Sequence, residues 1–406
     1  MKYNHPTDIP RSKDLFFDWT SDRIVPTTQN IRGDTYPQTW ADDDGLYIGT
    51  GDPNWMVKNG ENYVMCAELG NWNENAEVYE CMSGCVLEKL TGEPQAFGLT
   101  RVNDMRSFIG LGGGGPKPSG MICVDGKLYY AVQNLLGSKP PRHRTEQKQN
   151  TYSQHGSDAT ILCSEDHGQT WTNDISGILD SLYGEQYIRK EFYWRTPADS
   201  RAEHNGWKPM FSGNLFGGPS FVQFGKNNAD AVDDYVYAVS GDHWDNGRDL
   251  RLGRVSKDKI LDRAAWQFAI PQENGDPVWT ADVEQSAPIL EIDRHISLPE
   301  MVYIKSLNKY LLLTWALHTD FRTPTGSELT ILESDKPWGP FSLVHYDWMW
   351  YNSECAAYTP RVPLKWFNQE TLEGFLLFSG SWESQVPYYL PQLRGFKLIR
   401  RTDNCR

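Results

Sequence analysis

The sequence predicts an all-β fold, namely a five-bladed β-propeller of four-stranded antiparallel blades that is closed by an N-terminal strand. Three observations support this prediction. Pairs of short β-rich runs around polar turns recur five times along the 406 residues. Most of these pairs are followed by a second pair of strand-forming runs, which completes a four-stranded unit. A further strand pattern near the N-terminus supplies the strand that the last unit lacks.

The first two hairpins have the clearest turns. Residues 38–41 and 46–51 flank Asp42-Asp43-Asp44-Gly45, and residues 120–124 and 128–132 flank Asp125-Gly126-Lys127. Asp and Gly accept positive φ, and Asp-Gly between β-rich runs is a strong hairpin signal. We therefore expect these segments to form the two innermost strands of the first and second blades.

Three looser hairpins and the outer strands complete the predicted ring. The hairpins pair residues 219–223 with 235–239, 300–304 with 310–314, and 361–366 with 375–379. The outer pairs are 78–90 with 95–100, 159–164 with 170–171, 250–255 with 265–268, and 329–333 with 341–344. The fifth blade has only 392–399, and residues 15–19 supply its missing strand. This predicts a single domain over 1–406, with an N-terminal segment over 1–30 and blades with long connecting loops over 30–400.

Charge and hydropathy exclude several classes of partner. The formal net charge is −14, which opposes binding to phosphate backbones or anionic membranes. No apolar run approaches the roughly 20 residues of a membrane span. The N-terminus lacks a hydrophobic signal core, so we expect either a cytoplasmic protein or a secreted or periplasmic one whose leader has been removed. We also expect a monomer.

The cysteines favour neither a disulfide framework nor a zinc ribbon. There are seven of them, and no two form a CxxC pair. We expect most to be reduced, buried small hydrophobes, while a bridge from Cys66 to Cys81 or Cys85 stays open.

Residues 164–171 read SEDHGQTW and match the SxDxGxTW pattern called an Asp box. The motif is a hairpin turn that resembles those on the blades of sialidases and many other propellers. Ser and Asp side chains bond the turn amides, Gly takes the strained position, and Trp packs between outer strands. The motif therefore predicts a propeller blade and not a catalytic role for Asp166.

Three longer stretches, 33–47, 252–265 and 299–340, resemble bacterial proteins of the domain-of-unknown-function 4185 type. That resemblance implies a five-bladed propeller, and some members are glycoside hydrolases that act on D-arabinan. General resemblance to other five-bladed glycosidases implies carboxylates on the innermost strands, with Asp34 as general base or nucleophile. At the corresponding positions of the second and third blades this chain has Lys117 and Gly218, which leaves Glu300 as the displaced acid.

Glycoside hydrolysis needs two carboxylates, and Asp34, Asp52 and Glu300 are the predicted catalytic set. Asp34 precedes the first inner strand, Asp52 follows its partner, and Glu300 begins the inner strand of the fourth blade. Each has a structural alternative: a turn cap on Gly33 for Asp34, an Asx-type turn for Asp52, and an ion pair with Arg361 for Glu300.

The predicted substrate-binding residues are cationic, aromatic or histidine side chains. Lys117 and Arg361 suit a substrate carboxylate or sulfate, because cationic side chains neutralise anions and a guanidinium matches their planar geometry. His243 and Trp244 fall in the polar segment 241–249, which we expect on the funnel rim. Trp40 and His318 complete the set. No cofactor is predicted; Asp42 to Asp44 are interpreted as a solvated turn, with a structural calcium site as the alternative.

These residues leave three functions open, each with a glycan as partner. The first is a glycoside hydrolase that uses paired carboxylates. The second is a polysaccharide lyase that draws its base from His204, His243, His295 or His318, with Arg322, Lys117 and Arg361 to neutralise a uronate. The third is a propeller that binds glycans without cleaving them.

Overall fold

The computed structural model describes residues 1–27, 33–51, 56–59, 62–65, 85–103, 105, 117–133, 158–172, 209–273, 275–319, 326–351, 356–380 and 389–401. In these ranges the chain is an all-β propeller with four-stranded antiparallel blades. Its five larger sheets are labelled I to V in chain order. Nothing helical in the described ranges is long and apolar enough to cross a membrane.

The N-terminal half of the chain forms sheets I and II. The N-terminal segment contains β1 (Lys2–Tyr3) and β2 (Leu15–Ile24). Sheet I has the order β3 (Gln38–Trp40), β4 (Leu46–Gly51), β7 (Cys85–Thr91) and β8 (Gly98–Asn103), while β5 (Met56–Asn59) and β6 (Asn62–Met65) pair as a separate hairpin. Sheet II contains β9 (Lys117–Val124), β10 (Lys127–Gln133) and β11 (Thr160–Ser164), and a single bridge from Cys163 to Thr172 marks its outer edge.

Sheet III is larger than predicted. Its blade consists of β12 (Ser220–Phe221), β13 (Tyr235–Gly241), β14 (Gly247–Ser256) and β15 (Gln267–Gln272). The long strand β14 also pairs with β17 (Leu290–Ile296), which in turn pairs with β1, and β16 (Gly275–Thr280) pairs with β15. The sequence pattern did not predict β1, β16 or β17.

Sheets IV and V follow the prediction more closely. Sheet IV has the order β18 (Glu300–Ile304), β19 (Lys309–Leu317), β20 (Ser327–Ser334) and β21 (Ser342–Asp347). Sheet V has β22 (Tyr358–Arg361), β23 (Glu373–Ser379) and β24 (Gln392–Arg400), and β2 pairs antiparallel with β24 as its fourth strand. The predicted closing strand is therefore confirmed, since Leu15 lies opposite Arg400.

Two predicted inner strands have different bounds. The run 361–366 is not a strand: β22 ends at Arg361, and Leu364–Trp366 is a 3-10 turn. Pro363 explains this end, because it has no N–H to donate to a ladder. In the run 219–223, the backbone of Gln223 leaves sheet III and pairs with Val302 of sheet IV. The predicted outer run 78–90 is described only from Cys85 onward.

Short 3-10 turns connect several strands. Those in the described ranges are Pro6–Asp8, Pro94–Ala96, Lys226–Asn228, Lys257–Lys259, Arg263–Ala265, Val283–Gln285 and Leu364–Trp366.

The hydrophobic core is divided among the interfaces between sheets. Separate clusters of buried side chains join sheet I to II, II to III, III to IV, IV to V, and V back to I. In the last of these, Ile48 and Leu90 of sheet I pack with Leu377 and Leu393 of sheet V. Each sheet thus buries both of its faces against its neighbours, which is how a propeller buries apolar surface.

The predicted contacts of the SxDxGxTW turn are present. Ser164 Oγ accepts a hydrogen bond from Gly168 N at 2.7 Å, and Asp166 Oδ1 accepts one from Thr170 N at 2.8 Å. Gly168 has a φ of 90°, and the partly buried Trp171 packs on the cluster between sheets I and II. These contacts fix the turn locally.

Candidate active site

The innermost strands of the five sheets contact one another around the axis of the molecule. Thr39 Oγ1 accepts a hydrogen bond from Cys123 N at 2.8 Å, which joins sheets I and II. Gln223 Nε2 of the sheet III segment donates to Met121 O of sheet II at 2.7 Å. Gly120 lies so close to this segment that a Cβ there would be 2.4 Å from Pro219 O. The polar residues that begin these strands are thereby brought together.

Arg361 ties four sheets together at this centre. Its side chain is 0% exposed; Nε donates to Thr35 O at 3.2 Å, and Nη1 donates to Ser220 Oγ at 3.3 Å and Pro299 O at 2.8 Å. Burial lowers the pKa of Arg361 to about 10, with Glu300 acting in the opposite direction. The acceptors of the guanidinium thus lie at the start of the inner strands of sheets I, III and IV or just before them. These contacts tie the inner strands to one another.

Glu300 is the second buried charge at the centre. One carboxylate oxygen accepts from Gln38 Nε2 at 3.1 Å, and the other accepts from the backbone N of Val362. Burial raises the pKa of Glu300, and Arg361 and these hydrogen bonds only partly oppose the rise. Both oxygens of this carboxylate are therefore used to connect sheets I, IV and V.

Asp34 lies just before the innermost strand of sheet I. It is 4% exposed, and its backbone N and O both pair with Gly51 at 2.8 Å. Its Oδ2 accepts a hydrogen bond from Tyr358 Oη at 3.1 Å. A Cβ on Gly51 would be 2.6 Å from Asp34 Oδ1, so this close approach requires a glycine. The carboxylate is held in one place by sheets I and V together.

Tyr358 connects Asp34 to an aromatic cluster. Its ring is 5.5 Å from the ring of Trp244 and 5.5 Å from that of Trp315, measured between centroids. Burial raises the pKa of Tyr358 well above its usual value, and the nearby Asp34 raises it further. Tyr358 is therefore a protonated hydrogen-bond donor to Asp34 at neutral pH.

Asp242 and His243 directly precede Trp244, one of the two tryptophans of this cluster. His243 Nδ1 is 3.0 Å from Asp242 Oδ2, and both side chains are buried. Burial raises the pKa of Asp242, but His243 and the amides of Arg248 and Asp249 outweigh it, so that the pKa is lowered overall. A buried, ionised carboxylate next to an imidazole can orient that ring.

The loop that carries these residues is anchored to sheet IV. Asn246 Nδ2 donates to Leu317 O at 3.1 Å and to Thr319 O at 3.0 Å, and its Oδ1 accepts from Leu317 N at 2.7 Å. Trp315 and Leu317 belong to the same buried cluster as Trp244 and Tyr358. Asp34, Tyr358 and Trp244 are therefore linked by contacts, and the Asp242–His243 pair directly precedes Trp244 in the chain.

The other predicted site residues have different locations. Lys117 is 2% exposed and begins β9, next to Pro118, whose ring lies close to Gly51. His318 stacks on the exposed ring of Trp348 with centroids 4.0 Å apart. Trp40 lies at the hairpin end of β3, where its Nε1 donates to Asp44 Oδ1 at 2.8 Å; this is the opposite end of the hairpin from Asp34 and Gly51. Asp52, His204 and Arg322 lie outside the described residues.

The acidic turn at Asp42 to Asp44 contacts cations of the protein itself. Asp43 Oδ2 is 2.8 Å from Lys89 Nζ, Asp44 Oδ2 is 2.9 Å from Lys365 Nζ, and Asp42 Oδ1 is 3.0 Å from His167 Nε2. The two lysines neutralise the carboxylates of Asp43 and Asp44, which a calcium ion would need.

Sequence reasoning missed Tyr358, Asp242 and Trp315. Tyr358 occupies the inner-strand start of sheet V, the position equivalent to Glu300 in sheet IV, and this equivalence could have identified it. Asp242 lies in the segment that was singled out for His243. Nothing in the sequence singled out Trp315, because the residues of β19 have the apolar pattern of any buried strand.

Several solved structures are similar in fold. A protein from Bacteroides ovatus, provisionally named a hydrolase, is 11% identical with a TM-score of 0.51, over 91% of this chain and 86% of that chain. A family 117 glycoside hydrolase from Zobellia galactanivorans is 10% identical with a TM-score of 0.46, over 95% and 90% of the two chains. An α-L-arabinofuranosidase from Podospora anserina is 13% identical with a TM-score of 0.42, over 98% and 100%.

These similarities concern the fold. No protein-family model and no curated protein matches the chain, so the resemblance to domain-of-unknown-function 4185 proteins rests on the sequence stretches alone.

Proposed function

We propose that this chain is a glycoside hydrolase on a five-bladed propeller, in which Asp34 attacks the sugar or activates water. The observation that carries this proposal is the placement of Asp34. Its carboxylate is buried at the start of an inner strand, held by a tyrosine from another sheet, and flanked by strained backbone. Nucleophilic and general-base carboxylates need such fixed positions.

The packing of each sheet on the next, from sheet I to sheet V and back to sheet I, supports five blades. Sheet II has three strands in the described ranges, but it packs on both neighbours like the other sheets. The Cys163–Thr172 bridge occupies the place of its fourth strand.

Strained backbone lies directly beside Asp34 and Tyr358, as it does at several other places in the described residues. Thr35 and Tyr36 have φ values of 67° and 36°, and Thr359 has a φ of 53°. Positive φ in a β-branched residue is a genuine outlier, and such strain costs about 1–3 kcal/mol per residue. Strain of this kind is typical of active sites, where the surrounding structure holds a functional group in place.

We assign proton donation to His243, with Asp242 as its orienting partner. A histidine can act as general acid when a second group stabilises its protonated form. Glu300 is the weaker choice of acid, although burial raises its pKa as an acid requires, because both of its oxygens already accept hydrogen bonds between sheets.

An exposed aromatic side chain supports the proposal that the substrate is a glycan. Trp348 is 56% exposed, and His318 stacks beneath it. Exposed rings of this kind bind the apolar faces of sugars. We propose Trp348 and His318 as an outer subsite and Lys117 as a polar contact near Asp34.

The lyase alternative has less support. A tyrosine base needs a pKa near the working pH, whereas burial and Asp34 raise that of Tyr358. Arg361, which was predicted to neutralise a uronate, is instead bound by three acceptors of the protein.

The test is incubation of the purified chain with a panel of polysaccharides and aryl glycosides. A hydrolase produces new reducing ends without ultraviolet absorbance, a lyase produces absorbing unsaturated uronates, and a binding protein releases nothing. The Asp34→Asn variant should lose activity, while Asp166→Asn, in the SxDxGxTW turn, should keep it. Full activity in Asp34→Asn contradicts the proposal.

A further inference from the structure

Two histidines and a glutamate from three separate elements converge at a place that the proposed catalytic site does not use. They are His5 of the N-terminal segment, His295 of β17 and Glu328 of β20. One potential ligand atom from each lies within 4.8 Å of the other two. The closest pair is His295 Nε2 and Glu328 Oε2, at 3.0 Å. Three residues that are distant in sequence thus place their potential metal-ligand atoms close together.

The remaining ring nitrogens are held by the protein. His295 Nδ1 is 2.5 Å from Asp293 O, and His5 Nδ1 is 2.8 Å from Thr7 Oγ1. The contact to a carbonyl requires a proton on His295 Nδ1, so Nε2 is the nitrogen that a metal ion would bind, in place of its present contact with Glu328. Metal-binding histidines typically have a hydrogen-bond acceptor on the second nitrogen, as His295 does, because it fixes both the tautomer and the ring orientation. Nδ1 of His5 instead accepts a hydrogen bond from Thr7 N at 3.2 Å, so zinc would displace a proton from His5 Nε2.

Tyr346 of β21 completes the cluster. Its hydroxyl donates to Glu328 Oε2 at 2.7 Å and lies 3.1 Å from His5 Nε2. The His5 ring meets the rings of His295 and Tyr346 edge to face, at centroid distances of 4.9 and 5.0 Å. The side chain of Glu328 is 6% exposed and that of His295 is 12% exposed. The cluster is therefore largely shielded by packing.

We propose that His5, His295 and Glu328 form a zinc site, with water or the Tyr346 hydroxyl at the fourth position. Two imidazole nitrogens and a carboxylate suit Zn²⁺, whereas Ca²⁺ and Mg²⁺ prefer oxygen ligands alone. Zinc bonds of about 2.0–2.2 Å in a tetrahedron place ligand atoms about 3.3 Å apart. The His295–Glu328 separation of 3.0 Å already fits, and no pair of ligand atoms must approach by more than about 1.5 Å.

Zinc at this place would fasten the N-terminal segment to sheets III and IV. Residues 1–14, which precede β2, are otherwise joined to the sheets by short contacts, such as the two-residue β1–β17 pairing and the bridge from Arg11 to Leu343. Because a ligand that binds only the folded state stabilises it, Zn²⁺ should raise the unfolding temperature.

The direct test is zinc titration of the full chain after treatment with a chelator. Calorimetry or competition with a chromophoric chelator should give one equivalent of tightly bound Zn²⁺, with a rise in melting temperature. His5→Gln and His295→Gln should each weaken this binding at least tenfold and remove the thermal shift. His167→Gln is the matched control, because His167 also contacts a carboxylate, at the acidic turn, and should leave both measurements unchanged.

Folding and ligand identity need separate controls. His5 lies in the N-terminal segment, so His5→Gln should keep the native circular dichroism spectrum even if a variant of buried Glu328 does not fold. Co²⁺ in place of Zn²⁺ should give the visible absorption bands of a tetrahedral site in the wild type and not in His5→Gln. The proposal is overturned if the wild type binds no zinc, or if folded His5→Gln and His295→Gln bind it as tightly as the wild type.

Discussion

The hydroxyl of Tyr358 donates a hydrogen bond to Asp34 Oδ2 across 3.1 Å, and both side chains are buried. The contact joins the inner strands of the first and last sheets, so the closure of the ring also positions the proposed catalytic carboxylate. A hydrogen bond to a charged group contributes about 1.5–3 kcal/mol.

Replacing Tyr358 with Phe removes this hydrogen bond and keeps the ring. We expect kcat/KM to fall about 10- to 100-fold, because the carboxylate loses its fixed position. The control is Tyr237→Phe, which removes a similar bond, from Tyr237 Oη to Asp233 Oδ2 at 2.7 Å, away from the site. Equal activities of the two variants would argue against a role of Tyr358 in positioning Asp34.

Gly51→Ala tests the close approach of the chain to Asp34. The new Cβ would lie 2.6 Å from Asp34 Oδ1 and 2.9 Å from Thr35 Oγ1, so the carboxylate must move. Overpacking of this kind costs about 1–3 kcal/mol, and a shift of about 1 Å in a catalytic group can cost about 100-fold in rate. Gly275→Ala, where nothing lies within 4 Å of the added atom, should leave melting temperature and activity unchanged. A fully active Gly51→Ala enzyme would contradict the proposed role of Asp34.

Arg361→Met tests whether Arg361 is structural or binds substrate. The variant leaves Thr35 O and Pro299 O without their donor and Glu300 without its cation, so we expect a loss of about 3–5 kcal/mol in the free energy of unfolding. Urea denaturation measures it, with the exposed Arg400→Met as control. If Arg361→Met instead keeps its stability and raises KM for anionic glycans alone, the substrate-binding prediction is the correct one.

Glu300 should make stability fall as pH rises. Burial raises its pKa in the folded state above the ordinary value of 4.5. Between these two values the folded state binds more protons than the unfolded state, so the free energy of unfolding decreases with pH through that window. Urea denaturation from acid to neutral pH should show this decrease in the wild type and in the exposed control Glu370→Gln, but less of it in Glu300→Gln. A wild-type curve that rises with pH relative to Glu300→Gln would contradict the assignment.

Local chemistry explains which parts of the fold could be predicted. The turn Asp125-Gly126 has φ values of 49° and 77°, as the sequence pattern requires, and Lys127 pairs with Val124 across it. The closing strand was predictable because the last blade lacked one and the N-terminal segment offered a β-rich run. Asp34 and Glu300 were predictable as buried carboxylates because each lies next to the start of an inner strand.

Contacts between sheets explain what could not be predicted. Arg361 receives its role from Thr35, Ser220 and Pro299, which lie far away in sequence and meet only when the ring closes. The pairing of Tyr358 with Asp34 has the same origin. Trp40 lies at the opposite end of the β3–β4 hairpin from Asp34, and the sequence pattern did not indicate this separation. No pattern along the chain records which side chains of neighbouring inner strands contact one another.

The Asp242–His243 pair provides the sharpest test of the mechanism. If His243 donates the proton, His243→Gln should lower kcat about 10²- to 10⁴-fold, the usual contribution of a general acid. Asp242→Asn should have a smaller effect, because the amide keeps the shape of the carboxylate beside the His243 ring but loses its charge. His167→Gln, which breaks the exposed pair with Asp42, serves as control. Full activity of His243→Gln together with an inactive but folded Glu300→Gln would transfer the acid role to Glu300, and the carboxylate pair of Asp34 and Glu300 would then carry the reaction.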